Sequence, residues 1–364
     1  MPARTSALKV TTGGAVSLDQ LWRPLGLVGG LDRIDRLEAL DGYRTEVVAV
    51  LDDLLGDAAA GAPDVDVLAA VRAVAYVNDV LTRRLLVLAE HRLGPPPCAY
   101  AWLALGSHGR GEPVPSSDQD NALAYEDGAA GADAYFVRLA DLVVAALERA
   151  GLRRCDGGFM ATRWCRPLGE LQALFTGWVD RPAPDALLRA EVFLDVRPVH
   201  GRLDVDVLAR TLVAGGSRGP FQVQMARAAV AFRPPLTIFG RLRTTDSRLH
   251  VKRAGTAAIV LLARLYALAA GSPATTTLLR LEAAADGGTL SGAGAAQLGQ
   301  AYALLTGLRL RHQVAEVRAG RSPDDLLRID GLGRGDRDRL LMALRAVRDV
   351  QEATALRFAT HTVT

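Results

Sequence analysis

The chain has 364 residues, 49% of them hydrophobic and 23% charged, with a formal charge of +3. That length suits two or three domains of roughly 100–200 residues each, and the composition is that of a soluble globular protein. With no long basic block, and with three cysteines that form no C-x-x-C pair, the sequence carries no nucleic-acid footprint, zinc motif or disulfide framework.

The N-terminus, MPARTSALKV, lacks the apolar stretch of a secretory signal, so a reducing cytoplasm is the expected compartment. Residues 1–95 read as a helical N-terminal region. Its strongest part is Val67 to Arg92, where Val71, Val74, Ala75, Leu81, Leu85, Leu88 and Ala89 recur near a 3.6-residue period. Gly94 and three prolines end it, because proline cannot donate a helix hydrogen bond. Ala99 to Leu105 is a buried-strand pattern and Asn121 to Tyr125 a second. Asp133 to Ala150 reads as a helix closed by Gly151. Glu191 to Val199 (EVFLDVRPV) alternates like a third strand. From Leu203 onward the pattern is helical, strongest at Phe221 to Phe232, Thr256 to Ala270, Thr276 to Ala285, Ala295 to Arg311 and Arg337 to Phe358. The apolar stretch Ala254 to Gly271 carries Arg264 near its middle and is short for a membrane span, so a buried core helix is expected. The fold class is therefore an α/β core with a small mixed sheet over residues 96–200, flanked by helical regions at 1–95 and 201–364.

The stretch Leu105 to Tyr125, LGSHGRGEPVPSSDQDNALAY, concentrates the chemistry. Gly106 and Ser107 follow a strand, where a missing side chain lets backbone N–H groups and a hydroxyl approach phosphate oxygens. Asp118 and Asp120 stand two positions apart at the start of the next strand, so alternation turns both carboxylates the same way. Two like charges that close are unfavourable without a cation between them, and hard oxygen ligands beside phosphates suit Mg2+. Each piece alone is common. An Asp-x-Asp is usually a solvated strand start, and this Gly-rich turn matches neither the P-loop nor the dinucleotide fingerprint.

Taken together, these pieces resemble the nucleotidyltransferase superfamily that includes DNA polymerase beta. Gly109-Arg110-Gly111-Glu112 followed by Pro115-x-Ser117-Asp118-x-Asp120 looks like the motif of the uridylyltransferases of PII regulatory proteins. Over about 75 to 355, the chain resembles an uncharacterised nucleotidyltransferase family often joined to CBS or cyclic-nucleotide-binding domains. The residues carrying that likeness are Asn78-Asp79, Gly94-Pro95-Pro96, Gly106-Ser107, Ser117 to Asn121, Cys155 to Ala161, Trp164, Trp178, Phe193 to Arg197, Lys252, Arg264, Thr277, Arg280-Leu281 and Leu308 to Gln313. His108 and His250 depart from the family's usual acidic residues, and no His-Asp dipeptide marks a phosphohydrolase domain.

The resemblance implies transfer of a nucleoside monophosphate from a triphosphate, ATP among the options, to a hydroxyl on a protein or small molecule, with release of pyrophosphate. Asp118, Asp120 and Asp195 would hold two Mg2+ ions, with Mn2+ as a substitute, and Asp195 would be the third ligand or general base. Gly106 and Ser107 would hold the β- and γ-phosphates. Arg110 either contacts phosphate or clamps Glu112, and Lys252 either reaches the triphosphate or is a solvated charge. Cys155 and Cys165 are expected to pack rather than bind metal. Neither a nucleic-acid nor a membrane partner is expected, and an antiparallel helical pair would allow a homodimer. The contrasting reading is a nucleotide-binding regulator that performs no transfer.

Overall fold

The computed structural model describes residues 29–31, 33–38, 40, 42–56, 67–216, 219–244 and 246–360. Residues 1–28 and 57–66 of the expected helical N-terminal region lie outside the described residues. Two helices, α1 (Tyr43–Gly56) and α2 (Val67–Leu93), lead into the sheet. Then come β1 (Tyr100–Ala104), a single helical turn α3 (Gly106–Gly109), β2 (Asn121–Tyr125) and α4 (Ala132–Arg149). β3 (Cys165–Pro167), α5 (Leu168–Asp180), α6 (Pro184–Phe193) and β4 (Arg197–Gly201) complete this part.

The sheet runs β3-β2-β1-β4 and is mixed. β1 is antiparallel to both β2 and β4, and β3 is parallel to β2. Period-two alternation sorts the strand side chains into two layers. Tyr100, Trp102, Leu123 and Tyr125 pack on α2 and α4, whereas Ala101, Leu103, Ala122 and Ala124 face α5, α6 and the helices beyond. Both faces are covered, so β1 and β2 are buried at every position.

The C-terminal part contains α7 (Asp206–Gly215), α8 (Gly219–Ala231), α9 (Ala257–Ala269), α10 (Thr277–Asp286), α11 (Gly292–Arg318) and α12 (Arg334–Arg357). It also holds a short antiparallel pair, β5 (Arg248–His250) with β6 (Leu326–Arg328), that the helical reading of 201–364 did not contain. A π-turn, Lys252–Thr256, winds into α9. The apolar stretch expected as a core helix is one. Ten residues of α9 are buried, Arg264 among them, and no described helix is long and apolar enough to cross a membrane.

The expected strand at Glu191 to Val199 holds from Arg197, where β4 begins, but its first part needs correction. Pro184 begins a helix there, a position where its missing N–H is harmless. Leu187, Ala190 and Phe193 recur at helical spacing on its buried side. Asp195 therefore sits in the turn between α6 and β4, not within a strand.

That turn packs against α3 with no space to spare. A Cβ at Gly109 would lie 1.8 Å from the Asp195 carbonyl oxygen and 2.9 Å from that of Ala104. Gly335, at the start of α12, has nothing within 4 Å. We expect Gly109→Ala to lower the unfolding free energy by about 3 kcal/mol or more, through forced backbone displacement. Gly335→Ala should leave it unchanged or slightly raised. Urea denaturation of the two variants checks this.

Candidate functional site

The extended lead-in to β2 keeps the expected alternation. The Leu105 N–H donates to the Asp120 carbonyl at 3.0 Å, so pairing with β1 begins at that residue. Gln119 points inward, 2% exposed, and its amide donates to the Val144 and Leu152 carbonyls. Asp118 and Asp120 point the other way and stay partly accessible. Asp118 meets Arg153 at 3.1 Å.

Asp120 lies against the glycine turn. A Cβ on Gly106 would approach its Oδ2 to 2.6 Å, and Gly106 has a φ of +54° that glycine adopts freely. Burial pushes the Asp120 pKa up to about 6, and the Asp118 charge adds to the rise. The Cys155 thiol, which donates a hydrogen bond to this carboxylate, works against it, as do the cations Lys252 and Arg110. The structure thus brings Asp118, Asp120, Gly106 and Lys252 into one neighbourhood, the last through its field at Asp120. Ser107 sits in the same turn, its carbonyl accepting from the Glu112 N–H at 2.8 Å.

Asp195 stands apart from this pair in its chemistry. It has no exposed surface. Its Oδ2 accepts from Arg110 at 2.5 Å and Arg264 at 2.7 Å, and its Oδ1 accepts from Arg280 at 2.6 Å. Burial alone would raise its pKa, but the guanidiniums of Arg264, Arg110 and Arg280 overcome that and hold it well below the usual carboxylate range. Among the described residues no three His, Cys, Asp or Glu side chains are grouped to hold a metal ion. The expected three-carboxylate cluster is therefore not assembled, because arginines already occupy both oxygens of the third member. Arg197, two residues on, grips Asp79 through two bonds of 2.8 and 3.0 Å.

Arg110 is a clamp rather than a free phosphate ligand. Its Nε donates to Glu112 at 2.8 Å while its Nη1 holds Asp195. Glu112 in turn accepts from the Thr277 N–H at 2.6 Å, the Thr277 hydroxyl at 2.8 Å and the Tyr302 hydroxyl at 2.8 Å. A second tie holds the loop before Asp118. The Ser116 N–H donates to Gln313 at 3.0 Å, and Ser116 Oγ accepts from Gln313 at 2.7 Å and Arg309 at 3.2 Å. Within the quoted family pattern, Thr277 and Gln313 thus fasten the glycine and Asp-x-Asp loops to the C-terminal helices, and Arg264 and Arg280 reach the glycine turn through the carboxylate they share with Arg110.

Three site features escaped sequence reasoning. Cys155 touches Asp120, although its only sequence signal was membership of the Cys155 to Ala161 run. Arg153 pairs with Asp118 from an unremarkable basic segment. His108 presents a buried Nε2 without a hydrogen-bond partner to a small cavity shared with Asp79, Gln119 and Asp120. Burial lowers its pKa to about 4, leaving the imidazole neutral at pH 7. Cys155 and Cys165 are free thiols packed at the edge of the core, as expected.

A small mixed sheet with a Gly-Ser turn after one strand and Asp-x-Asp leading the next, set among helices, is compatible with a nucleotidyltransferase core. Residues 52–185 match the family model described as "Putative nucleotidyltransferase DUF294". Residues 219–358 match the one described as "Putative nucleotidyltransferase substrate binding domain". The chain belongs to this family. No curated protein matches it.

Two expectations follow for the site. Asp195→Asn removes the carboxylate charge that three buried guanidiniums share and should cost about 3–5 kcal/mol of stability. The loss should be equal in EDTA and in Mg2+, since arginines rather than a metal take the carboxylate; chemical denaturation in both buffers checks it. For Asp120 the folded pKa, about 6, lies above the ordinary carboxylate value of 3.8, so the native state binds the proton more tightly. Its ionisation therefore lowers stability as pH rises from 3.8 through 6, and the deficit is complete above that range. In EDTA, Asp120→Asn should melt several degrees above wild type at pH 7.5 and lose that advantage near pH 4.

Proposed function

We propose that this chain transfers a nucleoside monophosphate from a triphosphate to an acceptor hydroxyl on a protein or small molecule, releasing pyrophosphate. The observation that carries the reading is the pair Asp118 and Asp120, two like-charged carboxylates facing one way beside a glycine turn. Asp120 is largely desolvated and pressed against Gly106, in a cradle that any side chain at position 106 would fill. Such a donor set fits a hard divalent cation that keeps phosphate oxygens in its shell. Mg2+ is the expected ion, with Mn2+ able to replace it. Bound there, the cation would neutralise phosphate charge and acidify the acceptor hydroxyl.

The chain's own groups supply the rest. Gly106 and Ser107 offer an approach to the triphosphate without a large side chain in the way. Lys252, exposed at the start of the π-turn and felt electrostatically at Asp120, adds positive charge where phosphates would lie. Arg110 and Glu112 position the glycine turn by bolting it to α10 and α11. Catalysis of this kind is mostly positioning and charge stabilisation, so rigid mounting of the turn matters. The segment matching a substrate-binding description, 219–358, would take the acceptor.

The second reading, a nucleotide-binding regulator without turnover, draws on one observation. Asp195 is held by arginines, leaving two carboxylates rather than three for metal. Radiolabelled triphosphates with Mg2+ and a cell extract as acceptor source separate the two. We expect label transfer and pyrophosphate release to drop about a hundredfold or more in Asp118→Asn, as when a transition-state-stabilising group is lost. Triphosphate binding with no turnover in wild type would support the regulator, and equal pyrophosphate release from both proteins would remove the site from consideration.

A further inference from the structure

Two arginines from distant segments meet on the loop that leads into Asp118. Arg44, on α1, donates Nη2 to the Pro115 carbonyl at 3.3 Å. Arg153 donates Nη2 to the Ser116 carbonyl at 2.9 Å. Consecutive residues are only about 3.8 Å apart along the chain, so these guanidiniums are neighbours. The Arg44 stem lies across Gly151, where an added Cβ would come within 2.9 Å of both its Cβ and its Cδ, and Gly151 has a φ of +93°. A side chain at 151 would push Arg44 off the loop.

The charges around this loop do not balance. Arg153 meets Asp118 at 3.1 Å. Arg309 also reaches the loop, at Ser116 Oγ, but Asp325 neutralises it at 2.5 Å. Among the described residues no carboxylate forms an ion pair with Arg44. Its pKa is lowered by burial and then by the charge on Arg153, which is what adjacent like charges do when no anion lies between them. Of the two cations only Arg153 meets a carboxylate, and that carboxylate is the one assigned above to a metal. Guanidinium groups present paired donors that match phosphate oxygens.

We propose that Arg44 and Arg153 form a phosphate-binding pair at the edge of the Asp118 site. It takes a phosphate group carried either by the nucleotide donor or by a phosphorylated acceptor. The placement beside Asp118 rests on the transferase reading, but phosphate binding itself does not. Arg44 lies outside both matched spans, so the family descriptions do not assign it.

Calorimetry on the full chain, with inorganic tripolyphosphate, Mg2+-triphosphate, orthophosphate and a phosphoserine peptide as separate probes, tests the pair. Arg44→Gln and Arg153→Gln should each weaken phosphate binding about tenfold, the loss of one charge-assisted hydrogen bond. The double variant should lose less than the product of the two, because they share a ligand. Arg44→Lys should recover part of the affinity, and unchanged ligand-free melting shows that the fold is intact. A loss confined to tripolyphosphate and Mg2+-triphosphate assigns the pair to the donor, whereas one confined to orthophosphate and a phosphoserine peptide assigns it to the acceptor. Wild-type affinity for every probe in both Gln variants overturns the proposal, as does a wild type that binds none of them. Binding that depends on the pair, in a chain that never turns over nucleotide, sinks the transferase reading alone. Intact turnover with indifferent Gln variants sinks the pair alone.

Discussion

Asp195, a carboxylate with no exposed surface, accepts hydrogen bonds from three guanidiniums that arrive on three separate segments. Arg110 comes from the end of α3, Arg264 from the middle of α9 and Arg280 from α10. Removing either sign of charge would strand the other in a low-dielectric interior, where an unpaired ion is far more costly than the pair is stabilising. The positions of β4, the glycine turn and two C-terminal helices are therefore set together. Glu112 extends the network, joining the same turn to Thr277 and Tyr302.

This arrangement explains how a short, glycine-rich turn is held in place. Left to itself, Gly106 to Gly111 has high conformational freedom and few side chains to pack. Here Arg110 and Glu112, inside and just after the turn, are clamped from outside, and Arg197 donates to the carbonyls of His108 at 3.0 Å and Gly109 at 3.2 Å. Ser116, four residues past Glu112, is held in turn by Gln313 and Arg309. The two loops that frame Asp120 are fixed by polar contacts at their ends, while the carboxylate pair between them stays partly open. Rigid supports around an accessible centre are what a site needs if it works by positioning.

The same contacts tie the two matched family segments into one piece. Thr277, Tyr302, Arg309 and Gln313 lie in the C-terminal span and bond to the loops of the first, and Arg264 and Arg280 reach it through Asp195, which lies between the spans and also holds Arg110. A substrate held by the C-terminal helices would thus sit in fixed relation to the Asp-x-Asp pair, and shifts in those helices would reach the glycine turn directly.

The sequence by itself determined the strands β1 and β2, the long helices and the outward pairing of Asp118 with Asp120. Each of these follows from local periodicity, which reports on one element at a time. It also marked Arg264, Thr277, Arg280 and Gln313 through resemblance, without revealing what they hold. Only the tertiary structure decided the fate of Asp195. A carboxylate in an apolar run looks alike whether metal or arginine faces it, and its three partners lie 69 to 85 residues away. The helix α6 was missed because apolar Val192, Leu194 and Val196 at every second position read as a strand and outweighed the proline at 184. The contacts of Arg44, Arg153 and Cys155 were out of reach for the same reason as Asp195: charge compensation and hydrogen bonding in a folded chain depend on what distant segments bring close, and no local pattern encodes that.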